Sequence, residues 1–327
     1  MCYYEYERQS PEVIMQLIRE VYTHYPEKLS DSEKNLNLPN GIEYISAARI
    51  RESSGFKVKT YRKLVKCVAE LGYLNPHFNL LYRGQDKDYK NKNGSIIYPS
   101  IFRPTDGKRI TTTEIEKRFS RLDKIRMKLR SNKKNISLQK RLLSYPEYYY
   151  ALIQHYQKNE TPLIDLTQSL RVAATFALLN STTGYVLVFG MPHPHGSISH
   201  FIDQEMVLVK LQNVCPPNAF RPHYQEGYLV GNLPFNSMLP RFGDNLARRL
   251  IGKYYLDNSD DYFWDKGFSS IPKEVLFPKN DPFQEELNDI LEKELSNSRI
   301  ATASKTLPSE LNLGKISKKS AKLLEAP

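Results

Sequence analysis

The chain has 327 residues, of which 40% are hydrophobic, 11% aromatic and 25% charged, and its net charge is +11. This length is enough for one large domain or two moderate ones, and the composition excludes a wholly disordered protein. The sequence contains no apolar run of ~18 residues and no apolar signal region near its start, which predicts no membrane span and a cytoplasmic location. Three scattered cysteines, Cys2, Cys67 and Cys215, indicate neither a disulfide framework nor a metal spacing.

Residues 1–75 are predicted to form a helical N-terminal lobe. Apolar residues recur at helical spacing over 11–25, which predicts an amphipathic helix. A second helix is predicted from Tyr61 to Leu71, where Gly72 is a suitable terminator, and a short strand is predicted at 41–45.

A core unit is predicted over residues 76–255, and its first strand leads into Arg83, Gly84 and Gln85. The Arg83 side chain carries five fixed donors that suit a phosphate or a carboxylate. Gly84 lets the backbone bend or approach a ligand closely. A structural salt bridge for Arg83 and an ordinary turn at Gly84 are the alternative interpretations.

Most of the net charge lies in one segment, residues 108–141. This segment holds 13 Lys and Arg against three acids, which accounts for +10 of the +11. A capping box at 111–114 predicts a helix from Glu114 to about Arg130, with an apolar stripe on one side. The basic residues are then either the solvated face of a packed helix or a contact for a polyanion such as nucleic acid. The helix carries no interleaved aromatics and no nucleic-acid motif.

The stretch from Gln154 to Leu178 combines a polar cluster with a helix start. His155 and Tyr156 belong to the cluster, Asp165 follows an apolar pair, and Thr167 and Ser169 precede a small-residue helix. These residue types are typical N-caps, and a helix N-terminus suits an anionic group. Taken by itself, the stretch favours a capped core helix behind a tight loop over a binding site.

Two strands are predicted at 185–190 and 206–214, and a third at 227–230. The loop between the first two contains His193, His195 and His200, whose spacing matches no standard zinc site, so no metal is expected. Gln225 and Glu226 lie immediately before the third strand. They either stabilise developing positive charge or make ordinary surface hydrogen bonds. Helices are predicted at 245–251 and 282–295, and residues 256–327 are predicted to be a helical C-terminal extension that ends in a tail.

Three blocks in this order resemble the FRG domain family, which is named for its Phe/Tyr-Arg-Gly motif. The blocks are LLYRGQ with YPSIFR (80–85 and 98–103), QHY…TPLIDLT…VAATFA (154–177) and FRPHYQEGYL (220–229). Two departures concern the middle block. Residues 157–160 replace a compact Gly-x-Pro turn, and Leu166 stands where Trp is usual.

The resemblance implies an α+β fold with a central antiparallel or mixed sheet and helical ends. The block layout is in turn similar to that of ADP-ribosyltransferases, which implies NAD as a co-substrate and a protein or nucleic acid as acceptor. The family occurs in bacterial and phage-linked genomes, in contexts that suggest defence or toxicity. The alternative function is a non-catalytic nucleotide- or nucleic-acid-binding module that uses the basic 108–141 segment. Oligomeric state is left open.

The same resemblance implies a role for each candidate residue. Arg83, with Gly84, Gln85 and Arg103, would hold the pyrophosphate or a ribose of NAD. Thr167 and Ser169 would support the nicotinamide-side ribose, with His155 and Tyr156 stacking or hydrogen bonding nearby. Asp165 would hold the loop or a ribose hydroxyl. Glu226 or Gln225 would stabilise the oxocarbenium-like transition state as nicotinamide leaves.

Overall fold

A computed structural model describes residues 20–26, 41–104, 110–131, 142–235, 244–265 and 267–291. The strands in this part of the chain are β1 (Glu20–His24), β2 (Ile42–Ser46), β3 (Phe56–Val58), β4 (Asn79–Gln85), β5 (Lys90–Asn91), β6 (Gly94–Ser95), β7 (Leu163–Thr167), β8 (Thr183–Met191), β9 (Ile198–Phe201), β10 (Met206–Lys210), β11 (Gly227–Asn232) and β12 (Leu250–Asp257). The helices are α1 (Ala47–Glu52), α2 (Tyr61–Leu74), α3 (Thr112–Ser131), α4 (Pro146–His155), α5 (Leu170–Leu178), α6 (Leu211–Val214), α7 (Phe220–Tyr224), α8 (Lys273–Leu276) and α9 (282–291).

Eight of the strands form one mixed sheet in the order β3-β12-β8-β4-β7-β11-β10-β9. All neighbours are antiparallel except β3 and β12, which are parallel. The helices pack around this sheet, which confirms the predicted α+β fold with a mixed central sheet. Among the described residues, no helix combines the length and apolarity that crossing a bilayer requires.

The sheet is nearly divided at its centre. β4 pairs with β8 over seven residues and β7 pairs with β11 over five, but β4 and β7 share the single registered pair Tyr82 and Thr167. The two halves therefore diverge beyond Tyr82. Arg83, the next residue of β4, lies at the opening between them.

Two hydrophobic clusters cover the two faces of the sheet, and strand alternation divides the residues between them. On β10, Met206 and Leu208 join one cluster, while Val207 and Val209 join the other. The first cluster contains α2 and α5, and the second contains α3, α4 and α9. The apolar stripe predicted for α3 is confirmed, since Ile115, Leu122 and Leu129 are all buried.

Two predicted helices are wrong in the described residues. The helix predicted over 11–25 is a strand from Glu20 to His24, because β2 pairs with it along its full length and Val21 packs into the core. Residues 1–19 lie outside the described part. The helix predicted over 245–251 is a short 3-10 turn, Leu246–Arg249, and the chain then continues as β12. The domain boundaries stay a prediction, although β3 joins the N-terminal segment to the main sheet.

Candidate functional site

The gap between β4 and β7 opens into two adjoining spaces. The inner one is a cavity of about 180 Å³, and the outer one is a groove of about 790 Å³. Arg83, Gly84, Gln157 and Phe176 line both, so the two spaces meet at these residues. Eight of the eleven residues predicted for the site line one space or the other: Arg83, Gly84, Gln85, Arg103, His155, Asp165, Thr167 and Gln225.

Asp165 on β7 is the centre of a hydrogen-bond network in the inner cavity. Arg83 Nη1 donates to its backbone oxygen at 2.7 Å, and Gln154 Nε2 donates to its carboxylate at 2.6 Å. His155 Nδ1 lies 3.2 Å from the other carboxylate oxygen. This network joins the end of α4 to β4 and β7.

The network determines the charges of its members. Burial of the Asp165 carboxyl favours the neutral form, but the bonds from His155 and Gln154 and the charge of Arg83 outweigh it and lower the pKa to about 2. Burial lowers the pKa of His155, although Asp165 opposes that shift. At neutral pH, an ionised Asp165 therefore accepts from a neutral His155 protonated on Nδ1. His155 Nε2 is left as an unprotonated acceptor.

Three guanidinium groups surround this carboxylate. Arg83 and Arg221 line the cavity, and Arg103 lines the groove. Burial lowers the pKa of each, while the charge of Asp165 raises it. The cavity lining holds two guanidinium groups against one carboxylate, and the groove adds Arg103 and Asp86. The lining therefore carries a net positive charge that suits an anionic ligand.

Buried polar atoms without a hydrogen-bond partner are concentrated in the lining of the cavity and the groove. Eight buried side-chain nitrogen and oxygen atoms make no hydrogen bond within the described part of the chain. Half of them belong to lining residues: Arg83 Nε, Arg221 Nε, His155 Nε2 and Gln85 Nε2. Native proteins seldom leave such atoms unsatisfied, so a cluster of them indicates a place where a polar ligand or ordered water binds.

Gly84 is required here by packing. A Cβ atom at this position would lie 1.8 Å from the Ala173 carbonyl oxygen and 2.7 Å from Ala177 N. The missing side chain thus brings α5 against β4, and α5 in turn contributes Phe176 to both spaces. This contact explains the glycine without reference to a ligand.

Thr167 and Gln225 line the cavity, but both are engaged in structural bonds. The Thr167 hydroxyl donates to the Gln225 carbonyl at 2.7 Å and accepts from Ser169 N at 3.0 Å. Gln225 is buried, and its Nε2 donates to the Leu276 carbonyl at 2.8 Å. These bonds tie β7, α7 and α8 together beside the cavity.

The other three predicted residues line neither described space. The Tyr156 hydroxyl is buried and donates to Asp281, and Ser169 caps α5 by accepting from Val172 N. Glu226 has a left-handed backbone with φ of 46°, and its carboxylate accepts from Gln168 Nε2 at 3.3 Å. Glu226 directly precedes β11 and follows the lining residue Gln225.

Sequence reasoning missed an aromatic and cationic wall of the inner cavity. The Arg221 guanidinium lies 5.0 Å from the ring centroid of Phe277, and this ring meets Phe176 edge-on at 5.8 Å. Arg221 could have been found, because it lies in the 220–229 block. Phe277 had no sequence signal, since it comes from a segment that follows the last strand.

The helix α3 has seven basic residues, of which four are exposed, as expected, two are partly buried and one is buried. Lys117, Arg121, Lys124 and Arg130 are exposed. Arg118 is buried and donates to the backbone oxygens of residues 100, 101 and 103. Arg118 therefore supports the loop that carries Arg103. Residues 105–109 and 132–141 of this region lie outside the described part.

Comparison with known protein families gives one match, in which the model described as FRG domain matches residues 78–184. The match confirms the recognition made from the sequence blocks. It extends from β4 to the start of β8 and so includes Arg83, Arg103 and Asp165. No curated protein and no solved structure matches the chain.

Proposed function

We propose that this FRG domain-containing protein binds NAD in the cavity and groove around Arg83, and that it transfers ADP-ribose to a macromolecule or to water. The observation that carries the proposal is the group of unpartnered buried nitrogen atoms on Arg83, Arg221 and His155 in a positively charged cavity. The two arginine nitrogens are donors that suit the phosphate oxygens of a nucleotide, and the unprotonated His155 Nε2 is an acceptor that suits a hydroxyl of the ligand.

The two spaces suit different parts of a dinucleotide. The groove of about 790 Å³ is in the size range of small-molecule sites, and Tyr98, Phe102 and Ile97 give it apolar surface for a base. Arg83 lies where the spaces meet and would hold the diphosphate. The smaller cavity, with Phe176 and Phe277, would take the nicotinamide riboside.

In the proposed reaction the bond between the nicotinamide nitrogen and the ribose C1′ breaks. Nicotinamide leaves with the bonding electron pair, and the ribose becomes oxocarbenium-like. Asp165 is ionised and lines the cavity, so its charge would stabilise this positive centre, with Glu226, next to the lining residue Gln225, as the second carboxylate. A water or acceptor oxygen then bonds to C1′ and loses its proton.

The test is nicotinamide release from NAD, with and without a cell lysate as a source of acceptors. The wild type should release nicotinamide, and Arg83→Ala should lower the rate by about 100-fold or more, as expected when a transition-state donor is lost. Arg62→Ala is the matched control, because Arg62 is an exposed arginine paired with Asp265 outside the site. Equal rates for the wild type and Arg83→Ala would refute the proposal.

The two carboxylates are distinguished by neutral isosteres. If Asp165 stabilises the oxocarbenium, Asp165→Asn should abolish release while Glu226→Gln retains most of it. The opposite result would assign the role to Glu226, as the sequence resemblance implies.

A role in bacterial or phage defence through toxicity predicts a cellular effect. Expression in the bacterial cytoplasm should slow growth, and Arg83→Ala should restore growth at equal protein level. Normal growth of cells that contain active wild-type protein would show that nicotinamide release by this protein is not toxic to the cell.

The alternative function is a binding module without catalysis, and the exposed basic residues of α3 favour it. Neutralising Lys117, Arg121 and Lys124 to Gln should then abolish a salt-sensitive affinity for nucleic acid, whereas Arg83→Ala should leave it intact. Such a result without nicotinamide release would replace the enzymatic proposal.

A further inference from the structure

Three side chains with metal-binding groups meet outside the lining of the Arg83 cavity. His24 ends β1, whereas Cys67 and Glu70 lie three residues apart on α2. The ligand atoms of the three, a ring nitrogen, the thiol sulfur and a carboxylate oxygen, all lie within 4.8 Å of one another. We propose that His24, Cys67 and Glu70 form a zinc-binding site that joins the β1–β2 hairpin to α2.

The orientation of His24 suits a ligand. Its Nδ1 lies 3.1 Å from the hydroxyl of Tyr254, and its Nε2 lies 3.0 Å from Glu70 Oε2. Histidine ligands of metal ions almost always bond through their other ring nitrogen to a neighbouring polar group. The fully buried Tyr254 hydroxyl holds the ring so that Nε2 faces Glu70. On binding, Nε2 would exchange its bond to Glu70 for a bond to the ion.

The donor set and its burial favour zinc. Sulfur, imidazole nitrogen and carboxylate oxygen are the three ligand types that Zn²⁺ accepts in proteins, at about 2.0–2.3 Å. Cys67 is fully buried and His24 nearly so, while the Glu70 side chain is 31% exposed. The partly open side at Glu70 admits the ion and leaves the fourth position to water.

A modest side-chain movement completes the geometry. Ligand atoms on one tetrahedral zinc ion lie about 3.4–3.8 Å apart, as follows from those bond lengths. The separations of up to 4.8 Å therefore need to shorten by about 1 Å. His24 Nε2 and Glu70 Oε2 are already 3.0 Å apart, so the shortening concerns the separations from the Cys67 sulfur, which rotation of the Cys67 and Glu70 side chains would change.

Two neighbouring lysines oppose the ion, since Lys63 lies near the Cys67 thiol and Lys66 Nζ lies 3.8 Å from Glu70 Oε1. Lys63 lies one helical turn before Cys67, and its charge opposes the burial that raises the pKa of the thiol. It is exposed, so its long side chain can turn into solvent when the thiolate binds the ion. Replacement of Lys63 should therefore strengthen zinc binding, whereas replacement of a ligand residue should weaken it.

The test uses the full chain, stripped with a chelator and titrated with Zn²⁺ against a competing indicator. The wild type should bind one ion, and Co²⁺ in its place should show thiolate-to-cobalt charge-transfer absorption. Cys67→Ser and Glu70→Gln should each weaken the affinity at least tenfold and remove or alter that absorption. Lys63→Gln should retain or raise the affinity.

Cys215→Ser is the matched control, because Cys215 is also a buried free cysteine but lies in the other cluster. It should bind zinc as the wild type does. Glu70→Gln changes a partly exposed group, so it should stay folded and report on the site even where Cys67→Ser fails to fold. Zinc should also raise the unfolding temperature of the wild type and Cys215→Ser, but not of Glu70→Gln.

Two results would overturn the proposal. The first is a wild type that binds no zinc more tightly than Glu70→Gln, which would leave His24 and Glu70 as a structural hydrogen-bonded pair. The second is zinc binding that is lost in His195→Gln and retained in Glu70→Gln, which would assign the ion to the loop between β8 and β9. Neither result would bear on nicotinamide release, because the two sites share no residue.

Discussion

Substitution of Gly84 by alanine tests whether this residue is needed for packing or for ligand approach. The added Cβ would lie 1.8 Å from the Ala173 oxygen and 2.7 Å from Ala177 N. A relaxed contact between carbon and another heavy atom is about 3.5–4.0 Å. The helix α5 would therefore have to move away from β4 by well over 1 Å. Both contacted atoms are backbone, so no change of rotamer can relieve the contact.

The expected loss of stability follows from this geometry. Overpacking a core by a methyl group typically costs about 1–3 kcal/mol, and this contact is at the severe end because a whole helix must shift. We expect Gly84→Ala to lower the free energy of unfolding by about 3 kcal/mol or more. Since domains are stable by only about 5–15 kcal/mol, this is a large fraction of the total.

Urea unfolding followed by circular dichroism and by the fluorescence of Trp264, the single tryptophan, measures the change. Gly72→Ala is the matched control, because its Cβ would meet Leu80 at an ordinary 3.4 Å inside α2. That substitution should be neutral or stabilising by up to about 1 kcal/mol. A Gly84→Ala protein that unfolds at the wild-type urea concentration would refute the packing argument. Loss of NAD binding in a stable variant would instead assign Gly84 to ligand approach.

Two further predictions concern buried charge. Lys253→Met should lower the free energy of unfolding by about 3 kcal/mol, because Lys253 Nζ is buried against Asp88 and two backbone carbonyls. Lys90→Met, at the half-exposed edge of the same cluster, should lower it by less than about 1 kcal/mol. Equal losses of the two variants in urea unfolding would contradict this prediction. The pKa of Asp165 in the folded state is lowered to about 2. The ionised carboxylate therefore adds to the free energy of unfolding above the unfolded-state pKa of about 4, and this stabilisation is lost as the pH falls towards 2. Asp165→Asn should therefore flatten the pH dependence of stability in this window, and an unchanged slope would contradict the assignment.

Local patterns in the sequence were sufficient for much of the fold and for the family. The capping box and apolar stripe predicted α3, and the run of residues before Arg83 predicted β4, because helix and strand periodicity are properties of neighbouring residues. The motif blocks identified the FRG domain, and the family model matches the first two of them, over residues 78–184. They also selected eight residues that line the cavity and groove, since the first two blocks contain β4 and β7, the strands on either side of the opening.

Side-chain geometry explains why the rest of the site was not predictable. Glu226 and Gln225 are adjacent in sequence, but only Gln225 lines the cavity, whereas Glu226 has a left-handed backbone and lines neither described space. His24 and Glu70 are 46 residues apart, so no spacing rule could connect them. β1 was also not predictable from local sequence, because its pairing with β2 outweighs the helical spacing of apolar residues over 11–25.

The sequence by itself thus determined the FRG domain at 78–184, the types of most elements of the core unit and the concentration of positive charge near α3. The tertiary structure decided where that chemistry is placed. The divergence of β4 from β7 creates the opening, and the contact of Gly84 with α5 holds one wall of it. Arg221 and Phe277 complete the other wall from distant segments. These arrangements depend on contacts between residues far apart in the chain, which are energetic properties of the packed molecule and leave no local pattern.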